Sequence, residues 1–206
     1  MSEFFYYQTV PIEFGVGKLQ NLPDIIRERG YHKGLLITTK SIVANGIAER
    51  VVAESGGLIT DFTYGIQPNP TVQNTDNCIE VLRSGKYDFA VALGGGSVLD
   101  CAKVATALAP TTATTQRFFD GEFVLTEPGL PLIAVPTTAG TASEITRVSV
   151  LSDPVSGRKR PFNSPFLYPV YALIDPLLTM SCNKKVTASS GIDVLAHSLE
   201  ALYSKL

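Results

Sequence analysis

Three consecutive glycines and a serine, Gly94-Gly95-Gly96-Ser97, separate an apolar run from a helical pattern. The run is Asp88 to Leu93, and the pattern extends from Ser97 to Leu108. A strand that ends in glycines and continues into a helix turns tightly and approaches ligands closely, and its helix N-terminus attracts anions. The stretch therefore predicts a phosphate-binding turn. We expect Ser97 to cap the helix, with Asp100 at the capping-box position. A turn without a ligand stays the alternative, because short glycine motifs are weak evidence.

Short apolar runs alternate with helical patterns along the chain. Runs typical of strands span 6–14, 34–38, 61–64, 88–93, 130–135, 148–151 and 170–174. Helical patterns span 19–29, 42–55, 71–84, 97–108 and the stretch from 183 to the end. Pro11 marks the first strand as an edge strand, Pro23 favours a later start for the first helix, and the polar stretch 152–160 suits a hairpin turn. The alternation predicts an α/β fold with a Rossmann-like parallel sheet flanked by helices.

Polar or glycine residues follow three of these apolar runs, at 38–39, 94–97 and 136–141. Ligands of parallel α/β sheets bind at the carboxyl ends of the strands. We therefore expect these three segments to line one edge of the sheet and to form a ligand site together.

Composition excludes several other classes. With 206 residues, 45% of them hydrophobic and 17% charged, the chain is typical of a globular protein of one domain or one and a half. The net charge of −2 gives no electrostatic case for nucleic acid or an anionic membrane surface. No apolar run approaches the roughly 20 residues of a membrane span, and the first residues lack the basic region of a signal peptide. Three scattered cysteines, Cys78, Cys101 and Cys182, favour buried thiols in a reducing cytoplasm.

Asp193 and His197 lie four residues apart on the last helical pattern, so both side chains occupy one helix face. A carboxylate and an imidazole in this arrangement can bind one divalent metal ion. Two ligands do not complete a site, and an ordinary surface pair is the alternative. The other histidine, His32, precedes a buried strand and is expected in a turn.

Four motifs occur along the chain in a fixed order. They are Pro68-Asn69-Pro70; Gly94-Gly95-Gly96-Ser97 with Asp100 and Lys103; Pro136-Thr137-Thr138-Ala139-Gly140-Thr141 with Ser143-Glu144; and Gly191-Ile192-Asp193 with His197 and Glu200. Together they resemble the iron-containing (group III) alcohol dehydrogenases, and the resemblance covers essentially the whole chain. Each motif alone is weak, but four in order are specific.

The resemblance implies an N-terminal dinucleotide-binding α/β domain, here 1–180, followed by a helical metal-binding domain that begins at 181–206. In the family one Asp and three His hold Fe²⁺, or sometimes Zn²⁺, between the two domains. Asp193 and His197 match the first two ligands. Since the sequence has only two histidines, we expect a truncated form that is inactive alone. The bare apolar face of the last helix and the habit of the family favour a homodimer.

The resemblance also implies hydride transfer between NAD(P)(H) and a small primary alcohol or aldehyde. The backbone N–H groups of Gly95, Gly96 and Ser97, next to Gly94, are expected to hold the pyrophosphate. The remaining candidates are Thr137, Thr138 and Thr141 for the adenine side and the phosphates, Asn69 and Asp100 as polar groups near the cofactor, and Lys159 as a catalytic and cofactor-binding lysine near the nicotinamide ribose. For Lys159, a solvated charge is the alternative.

One departure from the family concerns coenzyme choice. NAD-preferring members carry Asp after the strand that here ends in Thr38, where it accepts from the ribose 2′-OH and repels a 2′-phosphate. This chain has the neutral Thr39 and the cationic Lys40 there. We therefore expect NADP(H) to be accepted.

Two further hypotheses stay open at this point. One is a zinc enzyme related to glycerol dehydrogenase or dehydroquinate synthase, which shares the architecture. The other is a nucleotide-binding fragment without catalysis, which predicts NAD(P) binding with little metal affinity.

Overall fold

The structure is a computed structural model and describes residues 7–204. Within this range the strands are β1 (Ile12–Phe14), β2 (Gly34–Ile37), β3 (Ile59–Thr63), β4 (Phe89–Gly94), β5 (Leu132–Pro136), β6 (Val148–Asp153), β7 (Arg158–Asn163) and β8 (Tyr171–Ile174). The helices are α1 (Leu22–Glu28), α2 (Lys40–Ala44), α3 (Ile47–Glu54), α4 (Val72–Gly85), α5 (Gly96–Leu108), α6 (Thr115–Asp120) and α7 (Lys184–Tyr203). Short 3-10 turns lie at 18–21, 143–145, 165–167 and 176–181.

In the described part of the chain, six strands form one parallel sheet in the order β1-β8-β5-β4-β2-β3. The chain leaves β2 toward β3 and then returns to place β4 on the other side of β2. The carboxyl ends of β2 and β4 therefore flank a topological switch point, where α/β sheets bind ligands. The predicted α/β fold is confirmed.

Helices cover both faces of the sheet, because β4 alternates between two separate cores. Ala90 and Ala92 lie in a core with α4, α5 and α6, whereas Val91 and Leu93 lie in a core with α1 and α3. Successive side chains of a strand point to opposite faces. The small alanines leave room for α5, whose residues from Val98 onward are almost all buried.

The expected edge strand is confirmed in part. Tyr6, where the prediction began, lies outside the described residues, and β1 itself follows Pro11. Proline lacks the N–H that a sheet ladder needs, so Pro11 contributes only its carbonyl, which accepts the Ala172 N–H at 2.9 Å, and the strand itself begins at Ile12.

The prediction of one helix over 42–55 is wrong. The chain forms two helices, α2 and α3, which are separated by Gly46 at a φ of +69°. This left-handed backbone conformation favours glycine and interrupts a helix. The first of the two starts earlier than predicted, at Lys40, because the Thr39 hydroxyl caps it.

The polar stretch after 151 forms the expected hairpin. Strands β6 and β7 pair antiparallel as a small separate sheet, with Ser152 opposite Lys159. The hairpin lies against α5 near the carboxyl edge of the main sheet.

The last helix, α7, begins after Asn183, whose side chain accepts the Val186 N–H at 2.9 Å. Ile192, Leu195 and Leu199 are each more than half exposed on it. In residues 7–204, none of the helices has both the length and the apolar character that crossing a membrane requires.

Candidate functional site

The glycine turn joins β4 to α5 at the switch point. Gly95 occupies the N-cap position, so the helix begins at Gly96 and Ser97 lies within its first turn. The prediction that Ser97 caps the helix, with Asp100 completing a capping box, is wrong. Within the described residues no side chain caps this helix end, which leaves first-turn N–H groups available to an anion.

The glycines keep the turn free of side chains. A Cβ on Gly95 would lie 3.2 Å from the Thr138 side chain, and one on Gly96 would lie 2.9 Å from Thr141 Cγ2. Gly94 instead allows Val98 to pack against the end of β4, because a Cβ at position 94 would lie 2.5 Å from Val98 Cγ2. The threonines of the loop after β5 therefore approach the N-terminus of α5 closely.

Two cavities meet at this helix end, and both are lined by Gly96 and Ser97. The switch-point cavity, of about 420 Å³, lies between the ends of β2, β4 and β5 and is lined among others by Thr39, Gly95 and Cys182. The hairpin cavity, of about 600 Å³, lies on the side of β6 and β7. A ligand with its middle at the helix end can therefore extend into both cavities.

The structure brings together nearly all predicted site residues. Thr39, Gly95, Thr137 and Thr138 line the switch-point cavity. Six other predicted residues are among those that line the hairpin cavity: Asn69, Asp100, Thr141, Lys159, Asp193 and His197. Of the predicted set, Gly94 lines neither cavity and is buried at the end of β4.

Lys159 projects from β7 toward the loop that follows β3. Its Nζ donates to Asn69 Oδ1 at 2.9 Å, and Asn69 adopts a φ of +58°. The flanking cations bond elsewhere, since Arg158 pairs with Asp120 at 2.7 Å and Arg160 donates to the Phe119 carbonyl. Lys159 is exposed but held at the cavity by a specific partner.

Asp193 and His197 face the hairpin cavity from α7, with Oδ1 and Nε2 3.6 Å apart. Gly140 allows the helix to come this close, because its Cβ would lie 3.1 Å from the Ser190 carbonyl oxygen. In residues 7–204, no group of three or more His, Cys, Asp or Glu side chains is placed to hold one metal ion. Among the described residues, the carboxylate of Asp193 and the imidazole of His197 therefore have no third group of this kind beside them.

Comparison with known proteins decides the family. A sequence model of the iron-containing alcohol dehydrogenases matches residues 10–176. The chain belongs to the iron-containing alcohol dehydrogenases.

Relatives within this family share about a third of the sequence. Alcohol dehydrogenase 4 of Schizosaccharomyces pombe is 34% identical over 193 residues, which cover 93% of this chain and 46% of the relative. Lactaldehyde reductase of Escherichia coli K12 is 32% identical over 196 residues, which cover 93% of this chain and 51% of the relative. The chain thus spans about half the length of the curated relatives it matches.

A crystal structure of sulfoacetaldehyde reductase from Bifidobacterium kashiwanohense in complex with NAD⁺ resembles the whole chain. The TM-score is 0.95 at 38% sequence identity, and the match covers 100% of this chain and 55% of that protein. The architecture of the chain is therefore that of the iron-containing alcohol dehydrogenases.

This member of the iron-containing alcohol dehydrogenases has the uncharged Thr39 directly after β2, at the position considered for coenzyme choice. Thr39 Oγ1 accepts the Ile42 N–H at 3.5 Å and lies 3.0 Å from Ser41 Oγ. Among the described residues, the lining of the switch-point cavity contains no Asp or Glu. A phosphate group would meet no like charge there.

Asp100 is engaged within the protein. Its carboxylate accepts the Ser143 hydroxyl at 2.7 Å and the Val150 N–H at 2.9 Å. Burial raises the pKa of this carboxyl, and the two hydrogen bonds oppose the rise. Lys103 lies one turn further along α5. Burial lowers the pKa of Lys103 to about 8, although the negative charges of Asp100 and Glu144 act in the opposite direction.

Several residues of the site had no assigned role at the level of sequence. Ser143 belonged to a quoted motif, but its contact with Asp100 depends on the fold. Cys182 was expected to be buried, yet it is half-buried in the lining of the switch-point cavity, with Sγ 3.2 Å from the Thr137 carbonyl oxygen. The expectation of buried thiols holds for Cys78 and Cys101.

Proposed function

We propose that this chain is the coenzyme-binding part of a metal-dependent alcohol dehydrogenase or aldehyde reductase, which transfers a hydride between NAD(P)(H) and a small primary alcohol or aldehyde. The observation that carries the proposal is the uncapped N-terminus of α5, where Gly96 and Ser97 line both cavities. In this proposal 1–180 form the dinucleotide-binding domain, and 181–206 begin the helical metal-binding domain.

The residues at the helix end fit a dinucleotide. A diphosphate is favoured by the N–H groups of Gly95, Gly96 and Ser97 and by the positive end of the helix dipole. The adenosine half then occupies the switch-point cavity beside Thr39, Thr137 and Thr138, and the nicotinamide half occupies the hairpin cavity. Gly94 contributes indirectly, because it lets Val98 pack beneath the turn.

The polar groups of the hairpin cavity would orient the nicotinamide half. Lys159 and Asn69 offer a donor and an acceptor for ribose hydroxyls, and Thr141 lines the same cavity close to Gly96. Asp100 supports this wall through Ser143 and Val150. When bound, the coenzyme supplies the hydride that the reaction transfers.

Asp193 and His197 fit two positions around a divalent ion, Fe²⁺ or Zn²⁺, because their Oδ1 and Nε2 atoms face the same cavity. Such an ion supplies Lewis-acid polarisation of the substrate oxygen. The role of the chain here is to present the two donors next to the nicotinamide half. Complete coordination requires further donors than those in residues 7–204.

A single charge substitution at the helix end tests the proposal. Ser97→Glu keeps a favourable residue in the first turn of α5 but places a carboxylate where the diphosphate binds, so we expect affinity for NADH, NADPH and ADP to fall about 100-fold or more. The matched control is Gln73→Glu, which occupies the equivalent position of α4, is exposed and lines neither cavity. Isothermal titration calorimetry measures both. Equal affinities for the two variants would contradict the proposal.

A nucleotide-binding protein without catalysis is the second candidate, and the incomplete donor set of the described residues favours it. Aldehyde-dependent oxidation of NADPH or NADH in the presence of Fe²⁺ separates the two functions. The alternative of a glycerol-dehydrogenase-like zinc enzyme has less support, because the family match is to the iron-containing alcohol dehydrogenases.

A homodimer in the cytoplasm completes the proposal. The exposed apolar side chains of Ile192, Leu195 and Leu199 support self-association. The free thiols of Cys78, Cys101 and Cys182 support a reducing compartment. Analytical ultracentrifugation tests the dimer.

A further inference from the structure

The Asp100 side chain fastens the start of strand β6 to helix α5. Its two carboxylate oxygens accept Ser143 Oγ–H and Val150 N–H, at 2.7 and 2.9 Å. Its backbone carbonyl accepts the Ser149 hydroxyl at 2.8 Å. Asp100 therefore accepts three hydrogen bonds that hold the segment 143–150 against α5.

Lys103, one turn along the same helix face, holds the same segment. It is 1% exposed, and its Nζ donates to the Val148 carbonyl at 2.9 Å and to Thr146 Oγ1 at 3.3 Å. Asp100 and Glu144 are the charged groups that face it. Burying an ammonium group is costly even with partners, whereas methionine would fill similar space without that cost. Packing alone therefore does not account for a lysine at this position.

The fastened segment forms one wall of the hairpin cavity. Thr146, Val148 and Val150 line this cavity, and β6 pairs with β7, which carries Lys159. No residue of β6 or β7 is among the described residues that line the switch-point cavity. The contacts of Lys103 therefore affect one cavity and not the other.

We propose that Lys103 is a positioning residue for the nicotinamide half of the coenzyme. By holding β6 against α5, it fixes the hairpin cavity and Lys159 relative to the helix end that receives the diphosphate. The inference rests on the proposed coenzyme binding and adds that the two halves of the coenzyme depend on different residues. The adenosine and diphosphate portion binds independently of Lys103, and the nicotinamide portion depends on it.

Binding of two ligands, ADP and the reduced coenzyme, distinguishes the contributions of these two portions. ADP reaches the helix end and the switch-point cavity only, whereas the reduced coenzyme, NADH or NADPH, whichever the unaltered protein binds more tightly, reaches both cavities. For Lys103→Met we expect the affinity for coenzyme to fall about tenfold or more and the affinity for ADP to stay within about twofold, as measured by calorimetry. The matched control is Thr106→Val, because Thr106 is buried on the same helix but its hydroxyl bonds only within that helix.

A second variant keeps the test decisive if Lys103→Met fails to fold. Ser149→Ala removes one small buried hydroxyl that bonds Asp100 and lines neither cavity, and we expect about two- to fivefold weaker coenzyme binding with unaltered ADP binding. Unchanged coenzyme affinity in the folded variants, or an equal loss for both ligands, overturns the inference. Failure of the unaltered protein to bind either ligand overturns the proposed function itself, and this inference with it.

Discussion

Lys159 and Asn69 are 90 residues apart in sequence, yet Lys159 Nζ donates to Asn69 Oδ1 at 2.9 Å. The contact joins the hairpin to the loop before α4, and both residues line the hairpin cavity. It places an ammonium group, held by a neutral partner, in the cavity where the nicotinamide half is proposed to bind.

Removal of this ammonium group tests its role in binding. Lys159→Met is expected to weaken coenzyme binding about tenfold, because a charge-assisted hydrogen bond is lost. ADP binding is expected to stay unchanged, and so is the unfolding temperature, because Lys159 is exposed. Fluorescence titration of NADPH and NADH gives the affinities. The control is Arg158→Met on the same strand, whose guanidinium pairs with Asp120. If both variants bind coenzyme as the unaltered protein does, Lys159 is only a solvated charge.

Coenzyme choice is tested at the end of β2. Thr39→Asp retains an N-cap for α2 but adds a carboxylate to the switch-point cavity, so we expect the NADPH-to-NADH affinity ratio to fall about tenfold or more. Thr114→Asp makes the same change at the N-cap of α6 and is expected to leave the ratio unaltered. The hypothesis that NADP(H) is accepted fails if the unaltered protein prefers NADH about a hundredfold.

Stability above neutral pH reports the burial of Lys103. Its pKa is lowered from the ordinary 10.5 to about 8, so between these values the unfolded chain binds a proton that the native chain has released. The free energy of unfolding then rises with pH, by at most ~3 kcal/mol across this window. Denaturant titrations of the unaltered protein and Lys103→Met from pH 7 to 10.5 measure the difference. A parallel pH dependence of the two proteins would show that Lys103 titrates normally.

The C-terminus of α5 depends on Arg83. Its guanidinium donates to the carbonyl groups of Leu108, Ala109, Thr111 and Ala113 at 2.5 to 3.3 Å. Arg83→Met removes the guanidinium that these carbonyls share, although the Leu108 carbonyl keeps the Thr111 N–H and hydroxyl as donors. We expect a loss of about 2 kcal/mol in the free energy of unfolding. Arg50→Met, at an exposed residue 4.0 Å from Glu54, is expected to cost less than about 0.5 kcal/mol. A cost as small for Arg83 would contradict the capping role.

Metal affinity distinguishes two donors from a complete site. Asp193 and His197 alone are expected to release Zn²⁺ during desalting, because stable sites in proteins use three or four ligands. Metal analysis of the 206-residue chain after incubation with Zn²⁺ and desalting gives the stoichiometry. One retained ion per chain that is lost on Asp193→Asn would show that further donors are present.

The sequence predicted the central part of the site because its signals are local. A strand, three glycines and a helix are read directly from neighbouring residues, and parallel strands bring the segments after β2, β4 and β5 to one edge. The family resemblance then assigned Asn69, which lies in one of the four motifs, and Lys159, which lies in none of them. No local pattern connects these two residues.

The errors arose where the outcome depends on backbone conformation or on distant packing. Ser97 is a strong capping residue, but Gly95 takes the N-cap position because the helix begins two residues earlier than a cap at Ser97 would require. Gly46 interrupts a helical apolar pattern that periodicity alone reads as continuous. The partners of Asp100 and Lys103 lie 43 to 50 residues away in sequence, so their roles emerge only from the fold.

The most direct test of the account follows the amide groups at the start of α5. In an isotope-labelled protein titrated with ADP, we predict that the backbone amide resonances of Gly95, Gly96 and Ser97 shift more than those at the N-terminus of α4, with a further shift of Lys159 and Asn69 only when NADH or NADPH is used. Amide resonances of the glycine turn that stay unchanged at saturating coenzyme would contradict the claim that this turn holds the diphosphate.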